Sequence, residues 1–479
     1  MASTAAREQE TPGDVGQMNG ETVAFGPISA DTPKPWSLTW TGQTAGQIDE
    51  REIIAVVDRQ PPQERDVFYL SSSPSDEQNT PRFARATASG LPLPLLHEHH
   101  VAQLPPHLLL APSPAHGANV HIFISTTSGT GKAVDFFSAI LQPTFSALNL
   151  SPSRYTVHKS ESAQSLIAFS TSILLPRALQ GTPQTVVLLS GDGGVHDIIN
   201  ALFSSPTPPA STPIYTPPTL ALLALGTGNA LSHSLHLTQD TNTLGLRALL
   251  HGTPRPLPLF RARFSTGACI LTDEERSSIP IPAADHVIRG AVVLSFGLHA
   301  SLVGDSDTTA YRQLGAQRFQ QAAKDLLFPS DGSQAHTYRA TLTITPSASP
   351  RTPTTLTETT HSYILATLVS NLEKTFTVSP LSTPLSPSLR LLRIPPLSGA
   401  DLMKIFTLAY DHGAHVTHPS VSYEEVAALR IVLDADDVEA EKWRRVCVDG
   451  TIVRLEPGGW VELGMEQGRV VDVVVPKDL

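Results

Sequence analysis

Thr185-Val-Val-Leu-Leu-Ser190, then Gly191-Asp192-Gly193-Gly194, then Val195-His-Asp-Ile-Ile-Asn-Ala-Leu-Phe203 is the stretch that decides the fold class. An apolar run that halts at a glycine turn and resumes with helical spacing reads as strand, tight turn and helix N-terminus. An α/β protein presents backbone amides to phosphate in this way. Asp192 lies inside the turn. A carboxylate there repels phosphate unless it has a task, such as accepting a substrate proton or holding a metal. The motif points to phosphoryl transfer.

Two further units repeat the pattern. Thr219-Leu-Ala-Leu-Leu-Ala-Leu225 runs into Gly226-Thr227-Gly228-Asn229 and Ala230-Leu-Ser-His-Ser-Leu235. Upstream, Val120-His-Ile-Phe-Ile-Ser125 runs into Thr126-Thr-Ser128-Gly129-Thr-Gly131-Lys132. There Val134, Phe137, Ile140 and Leu141 follow on one helical face. Each turn offers N–H groups, and each following helix adds partial positive charge at its start. Ser128-Gly-Thr-Gly-Lys132 is not a P-loop, because Thr126 and Ala133 stand where that motif needs glycine and a metal-binding hydroxyl. The dinucleotide fingerprint Gly-x-Gly-x-x-Gly opens none of the three units, which argues against an oxidoreductase.

A net charge of −11 and the absence of a sustained basic cluster exclude nucleic acid as the expected partner. Two cysteines, Cys269 and Cys447, support neither a disulfide framework nor a metal cluster and suit a reducing cytosol. No stretch reaches the ~18 apolar residues of a membrane span. The nearest, Ala291–Val303, reads as a buried strand. Without a signal peptide or myristoylation pattern, the expected address is cytoplasmic, with membrane contact only peripheral.

The polar residues 1–22 read as a disordered N-terminus. Residues 23–117 read as a small β-rich segment and linker, with Ser71–Ser89 as the linker candidate and His97-Glu98-His99-His100 as a solvated turn. The α/β catalytic domain is expected at 118–238, with the proline-rich insertion Ser204–Pro218 looping out. Residues 239–479 read as a β-rich domain with low-complexity insertions, whose C-terminal strands could return to the first domain. Strands are expected at Leu257–Ser265, Gly290–Leu298, Tyr338–Thr345 and His361–Asn371, and a helix at Thr308–Leu327.

These motifs resemble the catalytic domain shared by diacylglycerol, ceramide and sphingosine kinases. Ser190-Gly-Asp-Gly-Gly194 with Val195–Leu202 and Leu225-Gly-Thr-Gly-Asn-Ala-Leu231 carry the likeness. Further along, Ser295-Phe-Gly-Leu-His-Ala-Ser-Leu-Val-Gly-Asp305, Tyr311–Arg318, Tyr338-Arg-Ala-Thr-Leu342, Ser398–Met403 and Val448-Asp-Gly450 are similar to the sphingosine kinase branch. The resemblance spans roughly 120 to 460. It implies a Rossmann-like nucleotide-binding α/β domain followed by a β-sandwich-like lipid domain, with ATP in the interdomain cleft.

By the same resemblance, Asp192 is the general base for a lipid hydroxyl. Ser125, Ser128, Gly129, Gly191, Gly193, Gly194, Gly226, Thr227, Gly228, Asn229, Arg312, Arg318, Asp449 and Gly450 line the nucleotide. Mg²⁺ bridges its phosphates through ligands the sequence does not identify. Asp305 meets the cationic head of a sphingoid base. Arginine forks suit phosphate oxygens, and six helical residues would set Arg312 and Arg318 about 9 Å apart in rise. The expected activity is ATP-dependent phosphorylation of the primary hydroxyl of a sphingoid long-chain base, and diacylglycerol or ceramide are alternative substrates. A catalytically impaired nucleotide- or lipid-binding relative is a further alternative. Relatives have Asn-Pro where this chain has Ser125-Thr126, and Asp-Gly-Glu where it has Asp449-Gly450-Thr451.

Overall fold

The computed structural model describes residues 15–29, 32–40, 46–59, 63–71, 81–113, 117–126, 129, 131–205, 212–238, 241–281, 286–436 and 440–479. Residues 1–14 and Ser128 therefore lie outside the described residues. Among the described residues the strands form three sheets of seven, six and fourteen strands.

The first sheet is antiparallel and is built from β1 (Val15–Met18), β2 (Glu21–Ser29), β3 (Thr32–Trp40), β4 (Gly46–Asp49), β5 (Ile53–Asp58), β6 (Arg65–Ser71) and β7 (Arg82–Ser89). Its order is β4-β3-β2-β1-β7-β6-β5. Residues 15–18 and 21–22, expected in the disordered stretch, are strand on either side of the turn Asn19-Gly20, because Met18 and Val23 are fully buried with Phe25, Leu38 and Ile48 in this module's own core. Residues 82–89, expected in a linker, pair with β6 and β1. Every second residue from Ala84 to Ala88 carries the small side chain that an inner sheet face accepts. A helix, Leu93–His99, closes the module. His99, expected in a solvated turn, is buried with Nε2 3.1 Å from Glu50 Oε1.

This module is fastened to the α/β domain through backbone carbonyls. Asn242 N donates to Arg51 O at 2.8 Å, Arg247 Nη2 to Ile53 O at 2.9 Å, and His251 Nε2 lies 3.1 Å from Ile54 O. Burial lowers the Arg247 pKa to about 10, so the guanidinium stays charged while its donors are met.

The α/β domain holds β8 (Val120–Ile124), β9 (Tyr155–Lys159), β10 (Thr185–Ser190) and β11 (Thr219–Ala224). They lie parallel in the order β9-β8-β10-β11. All six residues of β10 are buried, as a strand covered on both faces requires, which is why its sequence is continuously apolar. The chain's last strand, Asp472–Val475, runs parallel beside β11. Thr253–Pro256 closes the edge antiparallel.

The remaining strands form one continuous antiparallel network of fourteen, with the twelve-residue strand Ser422–Leu433 bonded to three neighbours. The expected β-sandwich is, in hydrogen-bonding terms, this single sheet. Expected strands appear as Phe260–Phe264, Val293–Gly297, Tyr338–Pro346 and Tyr363–Thr367. The long strand expected at Ala291–Val303 ends at Gly297, whose φ of +92° turns the chain into the helix Leu298–Ser306. The helix expected at Thr308–Leu327 is broken at Gly315, φ +58°, into Thr309–Arg312 and Arg318–Leu327.

Candidate functional site

The three glycine turns meet. A Cβ on Gly129 would stand 2.2 Å from the carbonyl oxygen of Leu225, and one on Gly226 would stand 2.5 Å from the Cα of Gly191. No side chain fits between those backbones, so glycine at 129, 191 and 226 is a condition of the loops touching. Adjacent backbone bonds hold them, from Ser125 N to Leu189 O and from Leu225 N to Ser190 O. A Cβ on Gly193 or Gly228 would meet nothing within 4 Å, so both residues face open space.

Asp192 joins two of the turns. Its Oδ2 accepts from Ala230 N at 2.6 Å and its Oδ1 from Leu231 N at 3.2 Å, so it caps the short helix Ala230–Ser234. Burial lifts its pKa to about 6 against the pull of those two amides. At neutral pH it is therefore an anion poised to take a proton. Asn229, in the left-handed region at φ +56°, braces its own turn: Oδ1 accepts from Gly226 N at 3.0 Å and Nδ2 donates to Gly226 O at 2.7 Å. Its side chain shapes the loop.

These turns open into a cleft of ≈ 1110 Å³ between the α/β domain and the large sheet. Ser125, Gly129, Gly191, Asp192, Gly193, Gly194, Gly226, Thr227, Gly228, Asn229, Arg312, Arg318, Asp449 and Gly450 all line it. Arg318 reaches across, its Nη2 3.2 Å from Thr227 Oγ1. Its Nε is buried without a partner among the described residues. Arg312 is more exposed, with Nη2 2.7 Å from Asp307 Oδ2, and Asp307 Oδ1 also lies 3.4 Å from Arg318 Nη1. The two arginines sit on separate helical pieces, so Asp307 gathers them where helical rise was expected to space them.

Two of the expected site residues are held by the protein itself. Asp449 lines the cleft but spends its oxygens on Ala291, Val292 and Val293 amides at 2.6–3.3 Å. It anchors the turn into Val293–Gly297, and burial raises its pKa to about 7 even so. Asp305 is outside the cleft-lining residues. Its Oδ1 accepts from Arg445 Nη1 at 2.6 Å, and Arg445 Nη2 holds Glu275 Oε2 at 2.6 Å. Gly304-Asp-Ser-Asp offers two carboxylates, and the helix points Asp307, not Asp305, into the cleft.

Several cleft residues escaped the sequence reading. Asp197, one helical turn past Gly193, lines the cleft with its pKa raised by burial to about 7. His196 Nε2 lies 3.0 Å from Thr451 Oγ1, so the threonine ties the helix Asp192–Leu202 to the large antiparallel sheet. Asn200 adds two backbone bonds to Arg289, each 2.9 Å. His299 lies within the Ser295–Asp305 motif but carried no expected role. The spacing Asp192, His196, Asn200 was the available signal, a polar stripe at i, i+4, i+8 on the helix, with Asp197 beside it.

The far end of the cleft is apolar and comes from side chains. The helix Gly399–Ala409 starts at Ser398, whose Oγ accepts from Asp401 N at 3.2 Å. It buries Leu402, Ile405 and Ala409 against the sheet and turns Met403, Phe406, Thr407 and Tyr410 to the cleft. Leu298, Leu302 and Val303 face them from the helix Leu298–Ser306, with Phe319 and Leu327 nearby.

Residues 119–262 match the model of the diacylglycerol kinase catalytic domain. No curated protein matches the sequence. A crystal structure assigned as a diacylglycerol kinase of Bacillus anthracis strain Sterne is similar at TM-score 0.50 and 12% identity, over 76% of this chain and 98% of that one. A second structure so assigned from the same organism gives TM-score 0.47 at 12% identity over 75% and 97%. With three abutting glycine turns inside the matched segment and the large antiparallel sheet following it, residues 119–262 are similar to the diacylglycerol kinase catalytic domain, and the chain shares the fold of the first of those structures.

Proposed function

We propose that the protein transfers the γ-phosphoryl group of ATP to the primary hydroxyl of a long-chain lipid. The observation that carries this reading is Arg318 reaching the second of three abutting glycine turns across the cleft, through Nη2 on Thr227 Oγ1. Amides at 191–193 and 227–229 with Arg318 neutralise and position the phosphates, and such transfer needs little else from a protein. Asp192 takes the hydroxyl proton as the lipid oxygen bonds to phosphorus and the bridging oxygen leaves on ADP. Asp197, a carboxylate lining the same cleft, suits Mg²⁺. The ion would supply charge neutralisation between phosphate oxygens.

The apolar end accepts the tail. For the head, neutral acyl lipids such as diacylglycerol or ceramide are the better-supported acceptors, since Asp305 is neutralised by Arg445. A sphingoid base is the second reading, favoured by Glu373 on the cleft wall, where an ammonium could find a counter-charge. Peripheral contact at an intracellular membrane is the proposed way the lipid is reached. No helix among the described residues is long and apolar enough to cross a membrane. Radiolabelled ATP with a panel of diacylglycerol, ceramide and sphingosine tests the proposal. Labelled lipid from at least one is expected. Nucleotide binding without labelled product from any would favour the impaired relative that Ser125 and Thr451 suggested.

A further inference from the structure

The segment that carries the cleft arginines is gripped by a turn to which phosphoryl transfer assigns no task. Asp273-Glu274-Glu275-Arg276 joins the paired strands Cys269–Thr272 and Ser277–Pro280 at the edge of the large sheet. Its first three residues all sit in the left-handed region, at φ +52°, +56° and +66°. Residues with a Cβ visit that region singly, so a run of three needs contacts outside the turn to hold it.

Those contacts converge on residues 304–309, directly or through Arg445. Thr309 N donates to Glu274 Oε1 at 3.0 Å, and the Thr309 hydroxyl meets the same oxygen. Glu274 thereby caps the helix Thr309–Arg312, which the side chain of the preceding Thr308 leaves uncapped. Thr308 Oγ1 donates instead to Asp305 O at 3.0 Å. Arg445, its side chain buried, bridges Glu275 to Asp305 with 2.6 Å contacts to each. A Cβ on Gly304 would stand 2.9 Å from Glu275 Oε1, so glycine there lets the helix Leu298–Ser306 lie directly on this pair. Within the same segment Asp307 bonds Arg312 and Arg318, and Arg318 reaches Thr227 on the glycine turns.

The charge of the turn runs against phosphate. Asp273, Glu274 and Glu275 are three carboxylates near a site for a polyanion, and Coulomb's law alone makes them unfavourable to it. A turn kept for its charge and a turn kept for its geometry therefore predict opposite outcomes when the acids are removed.

Resting on the nucleotide-binding part of the reading above, we propose that Glu274, Glu275 and Arg445 are positioning residues for the phosphate arginines. They fix the segment bearing Asp307 and Arg312, so that both guanidinium groups are in place before ATP arrives.

Calorimetric titration of the full-length protein with MgATP, in the absence of lipid, tests this. Glu274→Ala/Glu275→Ala is expected to raise the Kd about 10-fold although it removes two negative charges. Glu274→Gln/Glu275→Gln keeps both oxygen acceptors and should stay within about 2-fold of wild type. Combined with Arg312→Ala/Arg318→Ala, the alanine pair should cause no further loss, since no guanidinium is left to place. Glu274→Ala alone, at an exposed position, should raise the Kd about 3-fold and settles the matter if the double variant fails to fold. An unchanged or tighter Kd in the alanine variants, an equal loss without the two arginines, a glutamine pair as weak as the alanine pair, or a wild-type protein that binds no MgATP overturns the proposal. Phosphorylation is assayed separately. The expected binding pattern without labelled lipid would sink the kinase reading and leave this one standing.

Discussion

At one end of the cleft the chain presents backbone, and at the other it presents side chains. The phosphate end is made by Gly129, Gly191 and Gly226 meeting at distances that admit no Cβ, with Asp192 stitching two of the turns through amide hydrogen bonds. The lipid end is assembled from Leu298, Leu302, Val303, Met403 and Phe406 on helices about a hundred residues apart. A backbone site tolerates almost no substitution, because the peptide unit is the ligand-binding group and its conformation is set by the residue type. An apolar wall is a volume, which several residue combinations can fill. The two ends should therefore respond to mutation in unlike ways.

The largest effect is expected at Asp192. Asp192→Asn should lower kcat by about 10³-fold or more while ATP binding persists, since the loss falls on proton transfer. Because the base must be ionised and burial sets its pKa at about 6, wild-type kcat/KM should fall as pH drops through about 6 and level off above it. Near wild-type turnover in the variant would remove Asp192 as the base.

Next come the glycines. Gly226→Ala pushes a methyl onto the Cα of Gly191 and should weaken ATP binding about 100-fold. Gly193→Ala, with open space around it, should change binding less than about 5-fold. Equal effects at the two positions would break the idea of a cage closed by contact. Of the arginines, Arg318→Ala should raise the KM for ATP about 10- to 30-fold and Arg312→Ala only a few-fold, measured by ADP release. Arg318 reaches Thr227, whereas Arg312 is largely exposed on Asp307.

The smallest effect belongs to the lipid end. Phe406→Ala should raise the KM for lipid several-fold and leave the KM for ATP unchanged, because an apolar wall loses area without losing geometry. A change in ATP kinetics would show that the two ends are coupled.

The same contrast explains what the sequence disclosed. Gly191–Gly194 and Gly226–Asn229 were legible because strand, turn and helix are consecutive in the chain and glycine is demanded by local geometry. The joining of the three turns followed from parallel strands lying side by side. The bonds of Asp305 and Asp449 were not legible because their partners, Arg445 and the amides of 291–293, lie about 140 and 160 residues away, where spacing carries no information. Gly315 broke a helix whose apolar periodicity ran straight through it. The Met403/Phe406/Tyr410 face was unreadable as a cleft wall, since helical periodicity gives a face but not what stands opposite. Likewise β1 and β7 emerged from polar-looking stretches because a module this small needs only alternate residues buried.

The most direct test of the central claim follows the glycine amides themselves. With ¹⁵N-glycine labelling, titration with MgATP is expected to shift Gly129, Gly191, Gly193, Gly226 and Gly228 together with a single Kd, while Gly16, Gly20 and Gly46 of the N-terminal module stay still. Shifts confined to one turn, or different Kd values for the three turns, would contradict a single phosphate cage.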